Sequence, residues 1–176
     1  MAFRRTTRRF TRRKRDLVWT TAIASGQVTD GSTTTLAVAS SGEWEASALN
    51  FERATLLRVR GYVAFTQDVV AATVDTSSMW AFHVGPLTFS PGDFSPFVSS
   101  DYDATDVLWT YGVMSSRGSA GAARATTAST KEIDIKAKRR MKSSEQLLFS
   151  IGLATDPAGA PTIEYQLLVR CLFDRT

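Results

Sequence analysis

The sequence contains one cysteine, Cys171, and one histidine, His83. One cysteine excludes an intrachain disulfide framework and any multi-cysteine zinc or iron–sulfur site. One histidine excludes a two-histidine metal site and leaves at most one ordinary acid–base group near neutral pH. No apolar run is long enough for a transmembrane helix, and the charged N-terminus lacks the apolar segment of a secretory signal.

Sequence motifs for catalysis and cofactor binding are also absent. There is no Gly-rich phosphate loop and no GxSxG, HExxH or CxxC motif, so we expect neither an enzyme nor a cofactor. Cys171 is expected to be a core thiol and His83 a structural or surface histidine. Asp101, Asp103 and Asp106 form the one spacing that would suit a hard cation such as Ca²⁺. Closely spaced loop aspartates are more often solvated turn residues, so no metal is predicted.

The first fifteen residues lack acidic side chains entirely, and they carry eight positive charges: Arg4, Arg5, Arg8, Arg9, Arg12, Arg13, Lys14 and Arg15. The whole chain has a net charge of +4, so residues 16–176 carry a net charge of −4. Basic N-terminal arms of this kind commonly bind nucleic acid through its phosphates. A solubilising tail and a nuclear-import signal have the same composition. We predict a flexible nucleic-acid-binding arm over 1–15 and a single domain over 16–176.

The residue pattern of the domain predicts β-strands throughout. Runs rich in Val, Ile, Thr and aromatic residues alternate with polar residues and are separated by Gly, Ser, Asp and Pro. Eight strands are predicted, over 17–24, 33–39, 54–66, 78–85, 106–114, 131–138, 146–153 and 161–173. A short helix is expected over 43–53. This count predicts an all-β, eight-stranded antiparallel jelly-roll sandwich, with an up-and-down barrel as the main alternative.

Two further segments are candidate binding elements. A second basic cluster comprises Lys136, Lys138, Arg139, Arg140 and Lys142, of which the first two are expected on the sixth strand and the others in the turn after it. It either contacts phosphate or discourages pairing at a sheet edge, and Arg58 and Arg60 either join it or pair with acids on a neighbouring strand. The segment 86–105 contains three prolines and four aromatic residues that we expect at subunit interfaces: Phe89, Phe94, Phe97 and Tyr102.

An Arg-rich arm of the type FRRTTRRFTRRKR, eight short strands and a last strand such as PTIEYQLLVRCLF resemble small single-jelly-roll viral capsid proteins. The segments ERATLLRVRGYVAF and KEIDIKAKRRM are most similar to strands of capsid proteins from circular, Rep-encoding single-stranded DNA viruses (circovirus-like). Satellite-virus capsid proteins with RNA genomes have the same plan. The resemblance implies a virion protein that assembles as a sixty-subunit icosahedral (T=1) shell.

The charge of the arm fits that implication. Sixty arms would bring about 480 positive charges into the shell, enough for on the order of 500 phosphates. The expected partners are copies of the same chain and single-stranded nucleic acid, DNA rather than RNA, together with a host nuclear-import receptor; no membrane partner is expected. Assembly would then take place in the host nucleus if the host is eukaryotic. The alternative is a cellular basic-tailed nucleic-acid-binding β-protein of ribosomal or packaging type, whose body would usually also be basic.

Overall fold

The computed structural model describes residues 15–29, 32–39, 53–69, 75–89, 103, 105–115, 125–156 and 162–175. These residues form eight strands: β1 (Leu17–Thr29), β2 (Thr33–Ala39), β3 (Arg53–Val69), β4 (Asp75–Pro86), β5 (Asp106–Ser115), β6 (Ala125–Lys142), β7 (Glu145–Asp156) and β8 (Thr162–Asp174). Most extend beyond the predicted bounds, but each predicted strand is present. The described part of the chain contains no helix that is long and apolar enough to cross a membrane.

The strands form two four-stranded antiparallel sheets. Sheet I has the order β1-β8-β3-β6 and sheet II the order β2-β7-β4-β5. The topology is that of one long hairpin folded over into a sandwich. Its antiparallel pairs are β1/β8, β2/β7, β3/β6 and β4/β5. Only β4 and β5 are both consecutive in sequence and hydrogen-bonded to each other, whereas every consecutive pair is hydrogen-bonded in an up-and-down barrel. The predicted jelly roll is therefore confirmed and the barrel alternative is excluded.

The core lies between the two sheets because alternate side chains of each strand point inward. On β8, Ile163, Tyr165, Leu167, Val169, Cys171 and Phe173 are all buried. Trp80 of β4 fills the centre, with its ring 5.2 Å from that of Phe65 and 6.0 Å from that of Phe149. Cys171 is thus the core thiol that the sequence predicted.

The outward faces of the two sheets differ in exposure. On sheet II, Ala81, His83, Leu148 and Ser150 point away from the shared core and are nevertheless buried. On sheet I, the outward side chains of β1 are exposed, including Trp19 at 44% and Ile23 at 76%, as is Tyr62 of β3 at 45%. Sheet I therefore presents the more open apolar surface among the described residues.

Two expectations about local structure need correction. The predicted helix over 43–53 does not include Arg53, because that residue begins β3 and pairs with Lys142; residues 43–52 lie outside the described ranges. Arg139, Arg140 and Lys142 do not lie in a turn after the sixth strand. They belong to β6, because β3 continues to pair with them through Leu56, Thr55 and Arg53 respectively.

Candidate nucleic-acid interface

The point at which the basic arm joins the domain is held by contacts between the two ends of the chain. The backbone N–H of Arg175 donates to the carbonyl oxygen of Asp16 at 2.9 Å. The guanidinium of Arg175 lies 2.7 Å from the Asp16 carboxylate, and Arg15 lies 3.9 Å from the Asp174 carboxylate. The first strand is therefore tied to the end of the last, and Arg15, the last residue of the arm, lies at this corner of sheet I.

Of the eight arm cations predicted to bind nucleic acid, the described residues include Arg15 alone. Its side chain is 72% exposed and pairs at the long distance given above with Asp174. A pair of this exposure contributes little stability, because water screens the two charges. Arg4, Arg5, Arg8, Arg9, Arg12, Arg13 and Lys14 lie outside the described ranges.

The second basic cluster is divided between the two faces of β6. Lys136, Lys138, Arg140 and Lys142 alternate with inward residues and are exposed. Arg139 points to the other side, where its Nε lies 2.5 Å from a carboxylate oxygen of Asp106 and its Nη2 lies 3.2 Å from Glu145. Arg139 is therefore occupied by two carboxylates, while its four neighbours form a cationic row on the outward face of sheet I.

Arg58 and Arg60 belong to the same outward face and pair with one acid on the neighbouring strand. Arg58 donates two hydrogen bonds to the carboxylate oxygens of Asp134, at 2.6 and 2.5 Å, and Arg60 lies 3.7 Å from the same carboxylate. The hydrogen bond from Arg58 holds the pKa of Asp134 below its ordinary value, and the Asp134 carboxylate correspondingly raises that of Arg58. The sequence left open whether these arginines joined the basic cluster or paired with an acid; they lie beside the cluster and share Asp134.

An aromatic residue beside these cations was not predicted. The guanidinium carbon of Arg170 lies 4.9 Å from the ring centroid of Trp19, which is cation–π distance. Alternation along β8 does place Arg170 outward, opposite the Val169 and Cys171 side. The pairing with Trp19 depends on the β1–β8 register, which joins the two ends of the chain and has no local signal in the sequence.

The predicted interface aromatics fall mostly outside the described ranges. Phe89 follows the turn after β4, is half-buried, and its ring lies 6.0 Å from that of His83 in an edge-on arrangement. Phe94, Phe97 and Tyr102 are outside the described residues, so their interface role stays a prediction. His83 itself lies opposite the Phe82 side, as predicted, but it is fully buried and is not a surface residue.

The described residues hold no group of three or more metal-ligating side chains. Asp103 is exposed, Asp106 pairs with Arg139, and Asp101 is outside the described ranges. The carboxylate of Asp106 is thus already neutralised by a cation. The positions of Asp103 and Asp106 therefore do not support a Ca²⁺ site at these aspartates.

No protein-family model matches the sequence, and the search of curated proteins found no match. Among solved structures, the chain aligns with a chain from a structure of infectious bursal disease virus, Gx strain. The alignment covers 93% of this chain and 37% of that chain, at 7% sequence identity and a TM-score of 0.27. This chain therefore spans well under half of the virus chain, and a superposition so loose carries no argument about fold or function.

Proposed function

We propose that this chain is a viral capsid protein that self-assembles into a closed icosahedral shell and packages a single-stranded nucleic acid genome through its Arg-rich arm. The observation that carries the proposal is the combination of a complete jelly roll with an arm of eight positive charges attached at one fixed corner. The domain after the arm carries a net charge of −4 and is a poor polyanion ligand as a whole. A closed shell compensates for this weak binding because it collects many basic arms in one cavity.

The contacts at the arm root support this role. Because Arg175 holds Asp16 through a backbone hydrogen bond and an ion pair, every subunit would release its arm from the same place. In a symmetric shell, equivalent positions repeat around each axis, so a fixed exit point directs all arms to one side of the shell. A solubilising tail has no need for such a fixed point.

The same proposal accounts for the further expectations about location and partners. The mature protein would be part of the virion, and its partners would be copies of itself and the genome, with DNA preferred. The arm would also bind a host nuclear-import receptor before assembly. The competing proposal of a cellular basic-tailed nucleic-acid-binding protein has no structural observation in its favour, because the domain is acidic overall.

Removal of the arm tests the packaging role. Deletion of residues 1–14 keeps Arg15 and Asp16, and with them the backbone hydrogen bond and both ion pairs to the C-terminal end of the chain. We expect the purified variant to keep the thermal unfolding temperature of the full chain and to lose most of its co-purifying nucleic acid, measured by absorbance ratio and by extraction. Nucleic acid retained at the full-length level would contradict the proposal.

A further inference from the structure

The outward face of sheet I carries a concentration of cations on the half nearest the arm root. We call this set the basic face: Arg58, Arg60, Lys136, Lys138, Arg140 and Arg170. Their side chains come from β3, β6 and β8, three adjacent strands. Lys142 continues the row at the end of β6. Arg15, the last residue of the arm, lies just before β1, which is the fourth strand of the same sheet.

The register places like charges directly opposite one another. Arg60 is the cross-strand partner of Arg170, and Arg58 is the partner of Lys136. Neighbouring strands are about 4.8 Å apart, and like charges at that separation destabilise a sheet. Asp134, which is the partner of Arg60 on β6, relieves part of this repulsion. Among the described residues, it is the one acid at the cross-strand positions occupied by these two pairs. These like-charged pairs do not stabilise the sheet, so another role accounts for them.

Protection of a sheet edge does not account for these charges. Lysines at an edge discourage unwanted strand pairing, and β6 is an edge strand of sheet I. Arg60 and Arg170, however, lie on β3 and β8, the two central strands. Their cations have no edge to protect and must be explained by something that contacts the face of the sheet.

Exposed aromatic rings accompany the cations. Trp19 is 44% exposed and lies under the guanidinium of Arg170, while Tyr62 of β3 is 45% exposed. Proteins that bind single strands without sequence preference combine a positive surface with aromatic side chains on which bases stack. The Trp19–Arg170 pair offers both groups at one place, since an arginine plane also stacks on bases.

We propose that the basic face, with Trp19, is a second binding site for single-stranded nucleic acid, continuous with the arm. This inference rests on the proposed function and adds a site on the folded domain to the packaging role of the arm. Phosphates pair with the cations of β3, β6 and β8, and a base stacks at Trp19. Because Leu17 and Trp19 directly follow the arm root, one strand of nucleic acid passes from the arm onto the sheet without a gap.

A second copy of the chain fits this face less well. Leu17 and Ile23 are exposed apolar residues on the same sheet and would suit a protein contact. A two-fold contact through the basic face, however, sets its cations against the same cations of the partner, and like charges across an interface oppose association. Polyanion has the complementary charge, and a protein partner becomes an outcome of the test.

The test uses the full-length protein and two probes, a single-stranded oligothymidylate and an oligouridylate, over a series of salt concentrations. We expect Lys138→Ala plus Arg170→Ala to reduce the magnitude of the slope of log affinity against log salt by about 1.4, since each phosphate contact contributes about 0.7. The matched control is Lys131→Ala, which removes a cation from the same strand but from over the Tyr111 ring on the opposite side. This control should leave the slope unchanged for both probes.

Tryptophan fluorescence tests the stacking contact separately. Binding should quench the wild-type emission, and Trp19→Phe should remove the part of that quenching that comes from the basic face. Of the other three tryptophans, Trp80 is fully buried, Trp109 packs against the core from sheet II and Trp44 lies outside the described ranges, so the difference between the wild type and Trp19→Phe is the readout. Trp19→Ala should weaken binding by about fivefold or more, as expected for loss of one stacked base. Each variant is first compared with the wild type by thermal unfolding, so that a misfolded protein is not counted as a weak binder.

The outcomes separate this site from the arm and from the proposed function. If Lys138→Ala plus Arg170→Ala binds as the wild type does, while Arg8→Gln plus Arg9→Gln in the arm lowers the slope, the arm alone binds and the basic-face proposal is overturned. If the face variants bind normally but no longer form particles, the face contacts another copy and the proposal is again overturned. If the wild type binds neither probe, the proposed packaging function itself fails.

Discussion

The Nε2 atom of His83 lies 2.8 Å from the Ser150 hydroxyl, and that hydroxyl lies 2.8 Å from the hydroxyl of Thr35. These three side chains cross β4, β7 and β2 on the outward side of sheet II, and all are buried. Burial disfavours the charged imidazolium and lowers the pKa of His83 to about 4. The only histidine of the chain is therefore neutral in the fold throughout the ordinary pH range.

This depressed pKa predicts a loss of stability on mild acidification. The unfolded chain binds a proton near the ordinary histidine pKa of 6.5, whereas the folded chain does not do so until about pH 4. Between these two values the unfolded state holds more protons, so the free energy of unfolding should fall by roughly 3 kcal/mol as pH drops from about 6.5 to about 4. Above pH 6.5 His83 makes no pH-dependent contribution. Urea unfolding at a series of pH values measures the effect.

His83→Gln is the matched variant for this prediction, because an amide can still hydrogen-bond to Ser150 but does not titrate. Its stability should depend less on pH between about 4 and 6.5 than that of the wild type. If both proteins lose stability in parallel over this interval, another group is responsible and the assignment to His83 is wrong.

Gly61 is expected to resist substitution by any other residue. It has a φ of +158° in the middle of β3, where a Cβ would overlap the carbonyl oxygen of Leu168 and lie 2.7 Å from the Cα of Val169. Both obstacles are backbone of the central strand β8 and cannot rotate away. Gly61→Ala should therefore lower the free energy of unfolding by at least about 2 kcal/mol, measured by chemical denaturation.

Gly112 of β5 provides the control for Gly61. A Cβ there meets nothing closer than the Ser78 carbonyl oxygen at 4.0 Å. Gly112→Ala should change stability by no more than about 1 kcal/mol. Equal costs at the two positions would mean that crowding against β8 is not what requires glycine at position 61.

Asp134 should weaken nucleic-acid binding in the wild-type protein. Its carboxylate pairs with Arg58 and Arg60 and is the acid that neutralises the centre of the basic face. Asp134→Asn should tighten binding of a single-stranded oligonucleotide at low salt, and the gain should vanish at high salt because it is electrostatic. Fluorescence anisotropy measures both.

Glu164→Gln makes the same change of charge at the far end of the sheet I face. Glu164 is exposed near the start of β8, at the end of the strand opposite Asp174. Its effect on affinity should be clearly smaller than that of Asp134→Asn. If Asp134→Asn and Glu164→Gln raise the affinity equally, net charge alone governs binding and the basic face is not a distinct binding site.

The strand content and the fold class follow from local patterns, as β8 illustrates. Its alternation of Ile163 through Phe173 with polar residues predicts one buried face, and the structure buries that face completely. The ends of the strands were harder to predict. Residues 125–130 of β6 are small and polar, without an apolar alternation, and they are strand because the long β3 pairs with them.

The candidate site was predictable only in part, for a related reason. The basic residues of β6 are visible as a cluster, but their division between two faces requires the strand to continue through Arg139 and Arg140. The proximity of Trp19 and Arg170 requires the register of β1 with β8, which are separated by most of the sequence. Composition shows which charges exist, and long-range pairing decides which of them lie together.

The mass of the particle formed by the full-length protein tests the central claim most directly. Light scattering combined with negative-stain microscopy, at low and at high salt, should show uniform closed particles of megadalton mass, as about sixty subunits of 19.3 kDa require. The particles should contain nucleic acid and should lose most of it when residues 1–14 are removed. A monomer or a trimer under all salt conditions would contradict the proposal that this jelly roll builds a shell.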